Sequence, residues 1–166
     1  MKFSRFLHNQ AVTVEEMAEF ARERTVHRVG GRDVLVVHDS SEIVFCGTDG
    51  AERGFGLVGR HGNTGGVLLH AALAVEVEGD GVLGLADLQI FNRPQGKRVS
   101  HRKRATKEKE SCRWINTMMA VSERFCEASS ITLIADRESD IYEEFARRPS
   151  NVQLITRAAQ NRRVVH

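Results

Sequence analysis

With 166 residues, 41% hydrophobic and 28% charged, and a formal net charge of +2, the chain has the make-up of one ordinary globular domain with a core of its own. The N-terminus has no apolar stretch suited to a signal peptide and no segment approaches a membrane span, so a soluble, cytoplasmic protein is expected. Cys46, Cys112 and Cys126 are odd in number and far apart, which excludes a zinc spacing or a disulfide framework and favours a reducing compartment.

Thr13-Val14-Glu15-Glu16 has the capping-box pattern, and Met17, Phe20 and Ala21 follow on one face, predicting a packed helix over Val14 to Arg24. Gly30-Gly31 breaks the chain. Val34-Leu35-Val36-Val37-His38 is then too apolar to have a wet face, which predicts a central strand ending at Asp39-Ser40-Ser41. Eight glycines in the twenty residues from Gly47 to Gly66 mark a loop. It holds a formal G-x-G-x-x-G, Gly54 to Gly59, but a dinucleotide site needs a helix directly after it, and the glycine-rich 60–66 stretch cannot supply one.

Val67 to Glu78 turns from an apolar run into strict alternation, Gly79-Asp80-Gly81 is a turn, and Val82 to Phe91 returns. This predicts a hairpin, with a bulge or exposed edge where the apolar phase slips near Ala86. His70 reads as a hydrogen-bonded core histidine. Arg93 to Glu110 sets eight Lys/Arg against two acids, so a basic surface loop over about 93–110 is expected, and its one-signed charge suits a phosphate backbone.

Trp114, Ile115, Met118, Val121, Phe125 and Cys126 share one helical stripe and read as core. Ile131 to Ala135 is a second apolar strand running into an aspartate, Asp136. A helical pattern follows, with Ile141, Tyr142 and Phe145 spaced along one face. Asp136 reads equally as the N-cap of that helix, with Glu138 and Asp140 complementing its dipole. Pro149-Ser150 breaks the chain, Val152 to Thr156 is the last strand, and 157–163 closes with a second basic cluster holding Arg157 and Arg162. The order predicts an α/β domain over 1–166, a mixed sheet with antiparallel hairpin strands and parallel strands flanked by helices.

In such a sheet the Asp39 and Asp136 strands can lie side by side, about 4.8 Å apart. Two empty carboxylates at that spacing repel each other, and a shared Mg²⁺ removes the conflict. Carboxylates for a metal and arginines for a phosphate chain together favour phosphoryl transfer on nucleic acid.

These residues also carry a resemblance. Asp39-Ser40-Ser41, the Gly54–Gly59 stretch, Glu108-Lys109-Glu110-Ser111-Cys112-Arg113-Trp114, Ala135-Asp136-Arg137-Glu138-Ser139-Asp140-Ile141 and the closing Arg157 cluster come in that order. Together they resemble the cut-and-paste DDE transposases of the insertion-sequence-four group. The Asp-Arg-Glu-Ser-Asp-Ile string is the most specific of them. The resemblance implies an RNase H-like catalytic domain, Mg²⁺ or Mn²⁺ held by two aspartates and a glutamate, and a homodimer acting on double-stranded transposon ends. It places the two aspartates at Asp39 and Asp136 and sets Arg157 on the transposon-end backbone. Arg162 belongs to the same cluster, and Arg102, Lys103 and Arg104 fall in a loop that could touch DNA. The family's glutamate follows a β-rich insertion and has no counterpart here, and the N-terminal end-recognition domain is missing. The chain therefore reads as the front part of such a domain, cut at both ends, and is expected neither to cleave nor to join DNA alone.

Three other readings compete. One is a self-contained RNase H-like nuclease with Glu138, Asp140 or Glu143 as third ligand. Another is a non-catalytic DNA-binding or dimerising remnant. A receiver-like phospho-acceptor domain fits poorly, because the hairpin interrupts the parallel winding that fold needs.

Overall fold

The structure is a computed structural model and describes residues 2–45, 54–59, 64–93 and 110–161. Its centre is set by two long strands, β1 (Asp33–Val44) and β3 (Thr64–Glu76), whose side chains alternate between a covered and an open face. Val34, Val36 and His38 of β1 and Leu68, His70, Ala72 and Ala74 of β3 are buried. Extended chain puts successive side chains on opposite faces, so these positions form one apolar surface.

Before β1 come α1 (Lys2–Leu7) and α2 (Val14–Val29), and between β1 and β3 lies the short β2 (Gly56–Val58). After β3 follow β4 (Val82–Phe91), α3 (Cys112–Arg124), β5 (Ser130–Ala135), a 3₁₀ turn (Arg137–Ser139), α4 (Tyr142–Ala146) and β6 (Val152–Thr156). The sheet runs β2-β3-β1-β5-β6, with β4 also paired to β3. β1 is antiparallel to β3 and parallel to β5, and β5 is parallel to β6. The expected mixed α/β sheet is therefore present, with β3 and β4 as its antiparallel hairpin. α2 and α3 close the covered face, packing Val29, Ile115, Met118, Val121 and Phe125 on Val34, Val36, Ala72, Ala74, Ile131, Leu133 and Val152. No described helix is long and apolar enough to cross a membrane.

Several local expectations are corrected. β1 does not end at Asp39-Ser40-Ser41, because β3 keeps pairing with it as far as Val44 opposite Gly66. Part of the glycine-rich stretch is the strand β2 rather than loop. α2 extends to Val29 and buries Ala18, Thr25 and Val29, while Met17 and Phe20 are exposed. Cys126 lies beyond the end of α3 and is exposed. The helix after Asp136 is interrupted: the 3₁₀ turn comes first, α4 starts at Tyr142, and both Tyr142 and Phe145 are exposed.

The bulge near Ala86 is real. Ala72 pairs with Asp87 and Leu73 with Leu85, leaving Ala86 as an extra residue, and a second shift follows between Ala74 and Val75. Between these irregularities Gly84 adopts φ +145°, and a Cβ there would collide with the Thr25 hydroxyl of α2. Thr25 cannot easily yield, since it is buried and donates to the Ala21 carbonyl. We expect Gly84→Ala to lower the unfolding free energy by about 1–3 kcal/mol through backbone strain and overpacking. Urea denaturation followed by circular dichroism checks this, and an unchanged midpoint contradicts it.

Candidate functional site

The parallel register decides where the charged residues after β5 and β6 fall. Val37 pairs with Ile134, and Asp39 and Asp136 each lie two residues further on. Ala135 pairs with Thr156, and the next residues are Asp136 and Arg157. Continuing the register sets Asp39, Asp136 and Arg157 in a row across β1, β5 and β6. Alternation assigns all three to the open face, since Val36, His38 and Leu133 occupy the covered one. Asp39, Asp136 and Arg157 are all exposed.

The segments that follow β5 and β6 are braced from several sides. Asp136 caps the 3₁₀ turn, its Oδ1 accepting the Glu138 amide at 2.8 Å. The N-cap role and a place in the carboxylate row are thus compatible, because the cap uses one of the two oxygens. The Thr156 hydroxyl donates to the Asp136 carbonyl at 2.7 Å, and Asp140 Oδ2 accepts the amides of Ala159 and Gln160 at 2.7 Å each. The turn after Asp136 is in this way stitched to both sides of Arg157.

On the covered face, Arg113 of α3 reaches two of these elements. Its Nε donates to Ser40 Oγ at 2.6 Å, its Nη2 to Glu138 Oε2 at 2.8 Å, and its Nη1 to the Glu110 carbonyl at 2.8 Å. Ser40 also meets His70 Nδ1 at 2.8 Å. His70 is thus the hydrogen-bonded core histidine its sequence context predicts, while neither ring nitrogen of the buried His38 has a partner. Burial, reinforced by the neighbouring His70, pushes His38 down to about 3, and burial beside the Arg113 charge pushes His70 down to about 4. Both rings are neutral at physiological pH and serve packing against Trp114.

The chain matches no protein-family model and no curated protein.

Two carboxylates, one within β1 and one just past the end of β5, suit Mg²⁺, which takes one or two protein carboxylates and fills its remaining positions with water and substrate phosphate. Among the described residues no group of three or more His, Cys, Asp or Glu side chains is placed to hold a metal ion. The candidates for a third ligand are engaged elsewhere: Glu138 pairs with Arg113, and Asp140 locks the segment after β6. Glu143 sits half-buried on α4. Arg102, Lys103, Arg104 and Arg162 lie outside the described residues, as does Cys46, while Cys112 and Cys126 are free thiols. Arg113 was not legible as a site residue. It lies in the Glu108-to-Trp114 stretch that carries the resemblance, but a charge at the start of an amphipathic helix ordinarily faces solvent, and nothing in that stretch gives it a role.

Proposed function

We propose that this chain forms the carboxylate-bearing sheet of a DNA phosphoryl-transfer enzyme of the DDE transposase type, with an RNase H-like arrangement of strands. What supports the reading is that the β1–β5 and β5–β6 registers, continued past Val37–Ile134 and Ala135–Thr156, lead to Asp39, Asp136 and Arg157 in one row. The order of strands supports it too: a β1 antiparallel to the hairpin and parallel to the two later strands is compatible with an RNase H-like sheet.

Asp39 and Asp136 would hold Mg²⁺ or Mn²⁺, which when bound supplies charge stabilisation at a phosphodiester. Arg157, whose guanidinium can make two parallel bonds to a phosphate, holds the DNA backbone beside the carboxylates. The basic residues Arg102, Lys103, Arg104 and Arg162 add salt-sensitive attraction to duplex DNA. Work on paired transposon ends as a homodimer follows from the same resemblance.

Iron-directed cleavage of the chain tests the assignment. Fe²⁺ with ascorbate and peroxide, substituted for Mg²⁺, should cut the backbone near Asp39 and near Asp136. Excess Mg²⁺ and the D39N and D136N substitutions should each suppress both cuts. Cleavage elsewhere, or cuts that survive both substitutions, would remove the shared site.

A further inference from the structure

Beyond the two carboxylates, one side chain joins the strand segments that carry them, although it touches neither. Arg113 is 9% exposed and spends all three guanidinium nitrogens. One goes to Ser40, the residue after Asp39, and one to Glu138, two residues after Asp136. The third returns to the Glu110 carbonyl just before α3, and the guanidinium carbon lies 5.5 Å from the centre of the Trp114 ring. Trp114 is fully buried, so the anchor of the clamp is the core itself.

The pairing between β1 and β5 ends at Val37 and Ile134. Beyond that point no ladder bond fixes how far apart the two chains run, while β1 continues against β3 and the other chain enters the 3₁₀ turn. The planar, rigid fork of an arginine is suited to set such a separation, because its donors have fixed directions and cannot be satisfied by one partner alone.

We infer that Arg113 is a positioning residue that fixes the spacing of Asp39 and Asp136, acting through Ser40 and Glu138, and so sets the affinity of the site for a divalent cation. The inference rests on the proposed metal role of the two aspartates. Lysine at the same place keeps the charge but offers a single ammonium, which cannot hold both partners in the same plane.

The test measures Mn²⁺ binding by electron paramagnetic resonance in the wild-type chain and in R113M, R113K, E138Q and D136N. Backbone amide exchange is followed at Asp39–Ser41 and Asp136–Asp140. Glu138 is 59% exposed at its side chain, so E138Q opens one arm of the clamp with little risk to folding, even should R113M fail to fold. Wild type should bind Mn²⁺ and D136N should not. R113M and E138Q should bind about tenfold more weakly, the usual cost of removing a group that orients a metal ligand, with faster exchange in both segments, and R113K should fall between. Mn²⁺ affinity and exchange unchanged in E138Q and in any folded R113 variant would overturn the clamp while leaving the carboxylate site intact. Absence of Mn²⁺ binding in the wild type itself would overturn the carboxylate site, a result distinguishable from the first.

Discussion

Trp114→Ala is expected to lower the unfolding free energy by about 3–5 kcal/mol, the range for truncating a fully buried large aromatic. Trp114 is the largest of the fully buried side chains. Its ring meets His38 edge-on at 4.8 Å between centroids and His70 at 4.6 Å. Such aromatic geometry adds to the burial of the ring. The site also collapses poorly, because the cavity would be floored by strands that cannot shift without breaking the β1–β3 ladder. Water entering the cavity would solvate His38 and His70, so part of the loss should be recovered by Trp114→Phe, which keeps the space filled. Trp114 is the only tryptophan in the chain, so denaturation must be followed by far-ultraviolet circular dichroism rather than by indole fluorescence. A loss below about 1 kcal/mol would mean that the helix and sheet repack freely.

Much of the sheet was legible because strands encode their faces by alternation, a local signal. The apolar run Val34 to His38, the hairpin around Asp80 and the slipped phase at Ala86 all correspond to observed features. Alternation did not say which face is covered in β3, where Leu73 is exposed and the smaller Ala72 and Ala74 are buried. The helices explain this. α2 approaches the sheet through Ala18 and Thr25, close enough at Gly84 that only small residues fit, and its large Met17 and Phe20 are left outside. Hydrophobicity marks residues able to be buried, but the closeness of approach decides which ones are.

The polar interior was illegible for a different reason. Arg113, Ser40 and Glu138 meet from three distant parts of the chain, and Asp87 and Gln89 of β4 meet Thr117 of α3, their side chains bonding one another. Each residue alone has the signature of a solvated surface position. Its burial depends on partners that the local pattern does not contain. The aspartate pair is an intermediate case. Each apolar run led to its own aspartate, but only the register of β1 on β5, continued two residues beyond Val37 and Ile134, sets the two in one row.

Glu144→Gln should change how stability depends on pH, whatever it does to stability at a single pH. Glu144 is completely buried; its Oε2 accepts the Ser139 hydroxyl at 2.8 Å and its Oε1 has no partner. Burial pushes its carboxyl up from 4.5 to about 7, with the Ser139 bond opposing more weakly. The folded-state value lies above the unfolded one, so the folded state holds a proton that the unfolded state has released between these two values. Its contribution is complete below about 4.5 and is lost as pH rises through about 7. Each tenfold in proton affinity is worth about 1.4 kcal/mol, so the swing is on the order of 3 kcal/mol. His38 and His70 act in the opposite sense. Their values are depressed from 6.5, so stability is complete above 6.5 and falls as pH drops towards about 4 and about 3. Between 4.5 and 6.5 Glu144 offsets about half of the rise that the two histidines give the wild type. Glutamine removes that opposition, so the variant climbs about twice as steeply with pH through this window and then levels. Its amide N–H₂ faces the position that lacks a partner, which adds a constant cost of about 1–3 kcal/mol. The diagnostic quantity is therefore the stability of the variant relative to wild type, which should rise by about 3 kcal/mol between pH 4.5 and pH 8 in urea titrations. A difference that stays flat across that range would mean that Glu144 is ionised, and hence hydrated or paired, in the folded chain.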